Sequence, residues 1–226
     1  MKKIVISTLL VLSSLQANEA TTKSSVKESN SASGIYIGLG IASSAFNGSY
    51  FSNTYIVDPN EDILYQNDAR RIYSNNTGYK IYGGYQFNKI VGVELSYNDY
   101  GSFENTIRLF NKTLNYTQDP SSVSLSANLG YNFLNNQLRP FGIIGMGYMQ
   151  TNQNTAIFDS EDMAMHYGGG VEYYPTILQG LGFRAGVEFD TLMVGQQRYN
   201  DEQNSYSEQV IFRDYANYYA SIAYKF

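Results

Sequence analysis

The stretch Gly78–Gly101, GYKIYGGYQFNKIVGVELSYNDYG, is rich in apolar and aromatic residues, yet it never strings more than two or three together, and it carries Lys80, Glu94 and Asp99 inside. In an extended chain successive side chains point to opposite faces. Tyr79, Ile81, Tyr85 and Phe87 then share one face, with Lys80, Tyr82, Gly84 and Gln86 on the other. After Asn88 and Lys89 the pattern resumes, with Val91, Val93, Leu95 and Tyr97 against Gly92, Glu94, Ser96 and Asn98. A helix would need apolar residues at i, i+3, i+4 and i+7, and they are absent. The stretch therefore predicts a β-hairpin with one apolar and one polar face. Its parity demands an even pairing sum, such as Phe87 with Val91, so the turn has three residues rather than two.

The alternation recurs on both sides. Ile35, Ile37, Leu39 and Ile41 oppose Tyr36, Gly38, Gly40 and Ala42; Val123, Leu125, Ala127, Leu129, Tyr131 and Phe133 oppose Ser122, Ser124, Ser126, Asn128 and Gly130. Four further segments, roughly 139–151, 163–174, 181–194 and 213–226, bring the total to eight strands of about ten to fourteen residues. In RPFGIIGMGYMQ the parity slips, because Phe141 and Ile143 are odd while Ile144, Met146 and Tyr148 are even; a bulge between Ile143 and Ile144 is expected there. The connections alternate in length. Long segments at about 46–76, 101–120, 152–162 and 196–212 are interleaved with the short NK, LNNQ and PTILQG. Short periplasmic turns and longer extracellular loops are the pattern of a transmembrane β-barrel, and the long segments are rich in Asn, Asp, Ser and Tyr, as solvated loops should be.

The polar parity settles which face meets lipid. Gly38, Gly40, Gly84, Gly92, Gly130, Gly168, Gly170, Gly182 and Gly186 all lie on it. Glycine weakens a strand interior, so this would be a poor water-facing surface. The interior of an eight-stranded barrel is only just wide enough for side chains, and there small residues make room for large charged ones. The expected fold class is all-β: an eight-stranded antiparallel up-and-down transmembrane β-barrel over residues 34–226. Its inward parity carries Lys80, Glu94, His166, Glu172, Arg184, Glu188, Asp190 and Lys225, expected to form structural ion pairs because a buried charge must be paired. A hairpin that sets Glu172 opposite Arg184 also sets Tyr174 opposite Gly182, Gly168 opposite Glu188 and His166 opposite Asp190.

Composition and the N-terminus fix the setting. The chain has 226 residues, 43% hydrophobic and 15% charged, with a formal net charge of −5 and no Cys. Its 15 basic residues are scattered, which gives no nucleic-acid-binding face. Without Cys there is neither a disulfide nor a thiolate metal site, and no cofactor is expected. MKKIVISTLLVLSSLQA combines two lysines, an apolar stretch from Ile4 to Leu15 and a small residue at Ala17, the pattern of a cleaved secretory signal over 1–17. The stretch is too short to span a bilayer as a helix, and no Cys follows it to carry a lipid. Residues 18–33, NEATTKSSVKESNSAS, read as a polar, Ser/Thr-rich lead-in.

Together, the signal pattern, the eight alternating strands, the quoted hairpin, RPFGIIGMGY, YGGGVEYYP, LGFRAGVEFD and the terminal Phe226 resemble the OmpA-type eight-stranded outer-membrane β-barrel domain. The resemblance covers about residues 34–226. It implies a cell outer-membrane location, contact with outer-membrane lipid and lipopolysaccharide, and a terminal Phe226 that serves as the signal to the outer-membrane assembly machinery. OmpA itself continues into a peptidoglycan-binding domain where this chain stops, so cell-wall tethering is not carried over. Function in such folds resides in grafted loops. The expected role is structural and surface-interacting, with four extracellular loops touching a host or cell-surface ligand; the alternative is a narrow passive channel. Lipid A-modifying barrels of similar size use a His near a Ser and a carboxylate. Here His166, the one histidine, faces the lumen with no nearby Ser on its parity, so an enzyme is not expected.

Overall fold

The structure, a computed structural model, describes residues 33–49, 54–57, 63–66, 71–109, 112–153, 161–200 and 205–226. The expected signal segment and all of the lead-in but Ser33 lie outside them. Twelve strands follow in order: β1 (Gly34–Ser49), β2 (Thr54–Val57), β3 (Ile63–Gln66), β4 (Arg71–Gln86), β5 (Val91–Asp99), β6 (Phe103–Leu109), β7 (Lys112–Gln118), β8 (Ser121–Gly130), β9 (Leu138–Gln150), β10 (Glu161–Tyr173), β11 (Leu181–Asn200) and β12 (Ser205–Lys225). Eight of them close into an antiparallel barrel in the order β1-β12-β11-β10-β9-β8-β5-β4, while β2–β3 and β6–β7 form separate two-stranded hairpins within the first two long connections. Closure leaves the barrel no unpaired edge, which is what allows a sheet to cross a bilayer. The last strand seals on the first, with Tyr36 opposite Lys225 and the Phe226 N–H donating to the Ile35 carbonyl at 2.9 Å.

The opening hairpin adopts the register that its parity requires. Gln86 faces Gly92, the Phe87 N–H donates to the Val91 carbonyl at 2.9 Å, and the Asn88 side chain caps the turn by accepting from the N–H groups of Ile90 and Val91 at 2.8 and 2.9 Å. The β10–β11 ladder likewise sets Glu172 against Arg184, Gly168 against Glu188 and His166 against Asp190. Tyr174 lies just past the end of β10, yet its ring rests on Gly182: a Cβ there would fall 2.4 Å from it.

Two expectations are corrected. There is no bulge in β9, since Ile143 pairs with Asn128 and Ile144 with Ala127 without interruption. Phe141, Ile143 and Met149 point inward and are buried, while Ile144 and Met146 face out. The apparent slip arises because the lumen has apolar surfaces of its own, among them the Phe141 ring 4.1 Å from the Arg184 guanidinium. The second correction is to length. β11 and β12 stay paired as far as Asn200 opposite Ser205, so much of 196–212 is strand rather than loop. Beyond the bilayer neither face has to be apolar, and the sequence there loses the alternation that marks the membrane-spanning part.

Outward positions carry the lipid-facing surface. Leu39, Ile41, Leu125, Met146 and Ile222 are exposed. Aromatic pairs ring the turn end, Tyr85 with Phe87, Tyr131 with Phe133 and Tyr224 with Phe226, at ring separations of 5.1, 5.0 and 4.9 Å, and Tyr79–Tyr97 and Tyr167–Phe189 sit toward the loop end. Such girdles mark the two membrane interfaces. On the inner side, Gly38 faces Tyr82 and Gly84 faces Tyr36 across the β1–β4 ladder. A Cβ on Gly38 would lie 2.2 Å from the Tyr82 ring, and one on Gly84 2.6 Å from the Tyr36 hydroxyl. Here glycine admits tyrosines more than charges.

The faces are tested by placing arginine on the outer surface. Leu125→Arg, at mid-strand, should destabilise the barrel by about 2–4 kcal/mol, whereas Phe183→Arg, beside the turn-end girdle, should cost roughly 1 kcal/mol. Urea unfolding in lipid vesicles reads both.

Candidate functional site

The lumen gathers what the inward parity supplies. Lys80, Glu94, His166, Glu172, Arg184, Glu188 and Asp190 are all buried inside the barrel. Lys225 stands apart at the turn end, half-buried, donating to Gln86 Oε1 at 2.8 Å.

Arg184 is the hub. Its guanidinium grips Glu94 with two nitrogens, at 2.6 and 3.1 Å. It also reaches Glu188 at 3.3 Å, donates from Nε to the Tyr219 hydroxyl at 2.8 Å, and lies over the rings of Tyr82 and Phe141 at 4.4 and 4.1 Å. Glu172, its ladder neighbour, is farther off at 3.6 Å. The expected Glu172–Arg184 pair is thus secondary to a bond across the lumen, because a long side chain in a narrow barrel finds the opposite wall. Glu94 in turn accepts from the Tyr36 hydroxyl at 2.9 Å and lies 3.5 Å from the Lys80 ammonium, which also pairs with Glu188.

Arg139 was missed by the sequence inventory. It is buried and inward on β9, donating to Asn128 Oδ1 at 2.7 Å and reaching Glu172 at 3.3 Å. The misread parity of that strand hid it; an unbulged odd parity would have placed it with Phe141 and Ile143. Toward the loop end His166 Nδ1 lies 2.7 Å from Asp190 Oδ1. Asp190 also accepts from the Tyr100 hydroxyl and, at 2.5 Å, from Ser122. A serine is therefore nearby after all, brought in from β8, but it donates to the carboxylate and not to the imidazole. Nucleophilic activation needs the hydroxyl on the histidine, and all three groups are buried away from lipid and water.

Above the charges lies an apolar layer that alternation alone did not reveal. Phe46, Tyr100, Phe103, Met149, Ala164, Leu192 and Tyr215 form one buried cluster. The Tyr215 ring packs 4.8 Å from Phe46, 5.6 Å from Tyr100 and 6.4 Å from Phe103. Phe103 opens β6, so the second long connection itself helps to cover the mouth. Among the described residues no group of His, Cys, Asp or Glu is arranged to hold a metal ion.

A closed eight-stranded barrel with an apolar belt, aromatic girdles and a polar interior defines a small outer-membrane β-barrel protein. The family model for the outer membrane protein beta-barrel domain matches residues 7–226, and the chain belongs to that family. Among solved structures it is similar to the outer membrane protein OprG from Pseudomonas aeruginosa, at 16% identity and a TM-score of 0.55, covering 88% of this chain and 98% of that one. It also matches Ail, the attachment invasion locus protein of Yersinia pestis, solved with the heparin analogue sucrose octasulfate, at 17% identity, TM-score 0.47, and 86% and 99% coverage. The Escherichia coli outer membrane protein W matches at 15% identity, TM-score 0.45, and 87% and 99% coverage. At these identities the likeness concerns the fold. No curated sequence matches the chain.

The hub predicts a thermodynamic cycle. Arg184→Met alone leaves Glu94 in excess of its cations and should destabilise by about 3–5 kcal/mol, whereas Arg184→Met with Glu94→Leu should recover much of the loss. Lys80–Glu188 and Arg139–Glu172 survive in the double variant. Comparing the two variants with the wild type by urea unfolding gives the coupling.

Proposed function

We propose that this barrel is a structural and surface-interaction protein: its lumen is a filled core, and its activity lies in the four connections presented at the outer end. The observation that carries the reading is the pair of stacked layers. The ionic cluster around Arg184 occupies the middle of the lumen, and the aromatic cluster of Phe46, Tyr100, Phe103 and Tyr215 lies across its loop end. A passive channel would need a continuous polar path, and these buried side chains leave the interior to each other. In this reading Lys80, Glu94, His166, Glu172, Arg184, Glu188 and Asp190 are structural ion pairs rather than a transport or catalytic site. The buried His166 and Ser122, both turned toward Asp190, favour a non-enzymatic role.

The partners follow from the surfaces. The outer belt meets outer-membrane lipid and, toward the loops, lipopolysaccharide. The loop segments, such as YFSNTYIVDPNEDILY at 50–65, are rich in Tyr, Ser and Asn, a mixture that makes rigid aromatic and adaptable polar contacts; their ligand is a host or cell-surface molecule. Residues 1–17 serve as a cleaved secretory signal, and residues 18–33 as a polar lead-in to the barrel. Phe226, exposed at the end of the closing strand and packed edge-on to Tyr224, serves as the assembly signal.

Two measurements check this. Purified barrel in planar bilayers should give no stable single-channel current, and cells carrying loop-shortened barrels should lose surface binding while keeping wild-type barrel levels. Stable currents with unaltered binding would return the channel reading. Deleting Phe226 should cut outer-membrane insertion sharply and leave secretion intact, as judged by fractionation and heat-modifiable migration on gels.

A further inference from the structure

Three short turns close the end of the barrel opposite the loops: residues 87–90 between β4 and β5, 131–137 between β8 and β9, and 174–180 between β10 and β11. Each carries a bulky aliphatic side chain clear of the wall. Ile90 is 51% exposed, Leu134 68% and Ile177 85%, with the exposed Leu178 beside it. These tips continue the turn-end girdle. Leu134 follows Phe133, whose ring lies 5.0 Å from Tyr131, and the third turn returns through Gly180, where a Cβ would lie 3.3 Å from the Tyr224 ring.

The backbone of the turns is satisfied from within the protein, as a segment that leaves water requires. The Ile90 carbonyl accepts from the Gly130 N–H at 2.7 Å, the Gln137 carbonyl from the Tyr174 N–H at 2.7 Å, and the Gly180 carbonyl from the Lys225 N–H at 2.8 Å, so each turn is tied to the next element around the rim. Inside the turns, Asn88 Oδ1 accepts from Ile90, the Leu134 carbonyl from Gln137 and the Pro175 carbonyl from Leu178. Leu134, Asn135 and Asn136 have φ of 48°, 55° and 67°. The left-handed region favours Gly and Asn; a tip that answered only to backbone geometry and water would carry a third Asn rather than Leu134. Charge separates the two ends of the barrel. The three turns hold one charged side chain, Lys89, and no carboxylate, whereas at the loop end Asp99 closes β5, Asp119 follows β7 and Glu161 opens β10. A lysine among apolar tips matches a layer of lipid phosphates, to which such a cation is drawn.

We infer that the turn end is a docking surface for phospholipid: Ile90, Leu134, Ile177 and Leu178 sit among the headgroups and glycerol backbones of the periplasmic leaflet rather than in periplasmic water, with Lys89 toward a lipid phosphate. The occupant follows from continuity, because the tips extend the girdle that already meets lipid. Apolar surface buried at that depth holds the barrel by its turns, as an interfacial segment is held by its apolar face. Such seating needs only the outer-membrane location; a barrel with silent loops would seat its turns in the same way.

The chain has no Trp, so Leu134→Trp and Ile177→Trp each place a single reporter in an otherwise tryptophan-free barrel. In phospholipid vesicles both should show blue-shifted emission and be quenched by lipid brominated near the glycerol end of its acyl chains. Glu104→Trp, at an exposed position of β6, should be quenched by aqueous acrylamide and not by the brominated lipid. Water-like emission from residues 134 and 177, quenched by acrylamide and not by the lipid, would overturn the inference. Tryptophan itself favours membrane interfaces, so the native side chains supply the second readout. In methyl-labelled wild-type barrel in phospholipid bicelles, the methyls of Leu134 and Ile177 should show cross-relaxation with lipid headgroup and glycerol protons. Methyls that meet only water would overturn the inference whatever the tryptophans report, and would leave this face to a periplasmic protein.

Discussion

An arginine that cannot reach water must be answered from within the protein. Arg184 sits in the middle of a barrel whose outside faces lipid, and its bidentate grip on Glu94 joins β11 to β5 across the lumen. Moving two such charges out of water carries a large desolvation penalty, repaid only when the geometry is good and the remaining donors and acceptors are satisfied. Tyr36 and Asn128 complete Glu94, and Tyr219 completes Arg184. Each of those side chains needs an inward position with space before it. The inward glycines, Gly84 under Tyr36 and Gly38 under Tyr82, are the other half of the same requirement.

The barrel thus has two solvents and two logics. Outward positions follow hydropathy and girdle placement, and inward positions follow electrostatic closure. Neither face uses water in the way that a soluble sandwich does. At the loop end the inside changes character again: Phe46, Tyr100, Phe103, Met149, Leu192 and Tyr215 add apolar packing where the lumen would otherwise open outward. The aromatic layer and the ionic layer support each other, since Tyr100 belongs to the first and bonds Asp190 of the second.

Much of this was legible in the sequence, because a period of two with one lipid-facing side leaves little freedom of register. The Glu172–Arg184 and His166–Asp190 alignments follow from parity and one turn. What failed did so for definite reasons. Phe141 and Ile143 are apolar yet inward, so a rule equating apolar with outward turned them into a bulge and lost Arg139. Ladder adjacency also misjudged Arg184, whose side chain is long enough to prefer Glu94 on the far wall. Ser122 escaped notice because the Ser–Asp190 contact joins β8 to β11, which are not ladder neighbours. The paired extension from Gly195 to Asn200 was invisible for the opposite reason: its sequence carries no apolar–polar alternation to mark it as strand.

The central claim is a closed interior inside a lipid-facing coat, and β8 tests it with little disturbance, since three of its inward residues are serines and the chain has no native cysteine. Single Ser124→Cys, Leu125→Cys and Ser126→Cys barrels in lipid vesicles would be treated with a water-soluble and a lipid-soluble thiol reagent. The account predicts that Leu125→Cys reacts only with the lipid-soluble reagent and that the two inward cysteines resist both. Rapid modification of the inward cysteines by the water-soluble reagent would contradict it and establish an open, hydrated lumen.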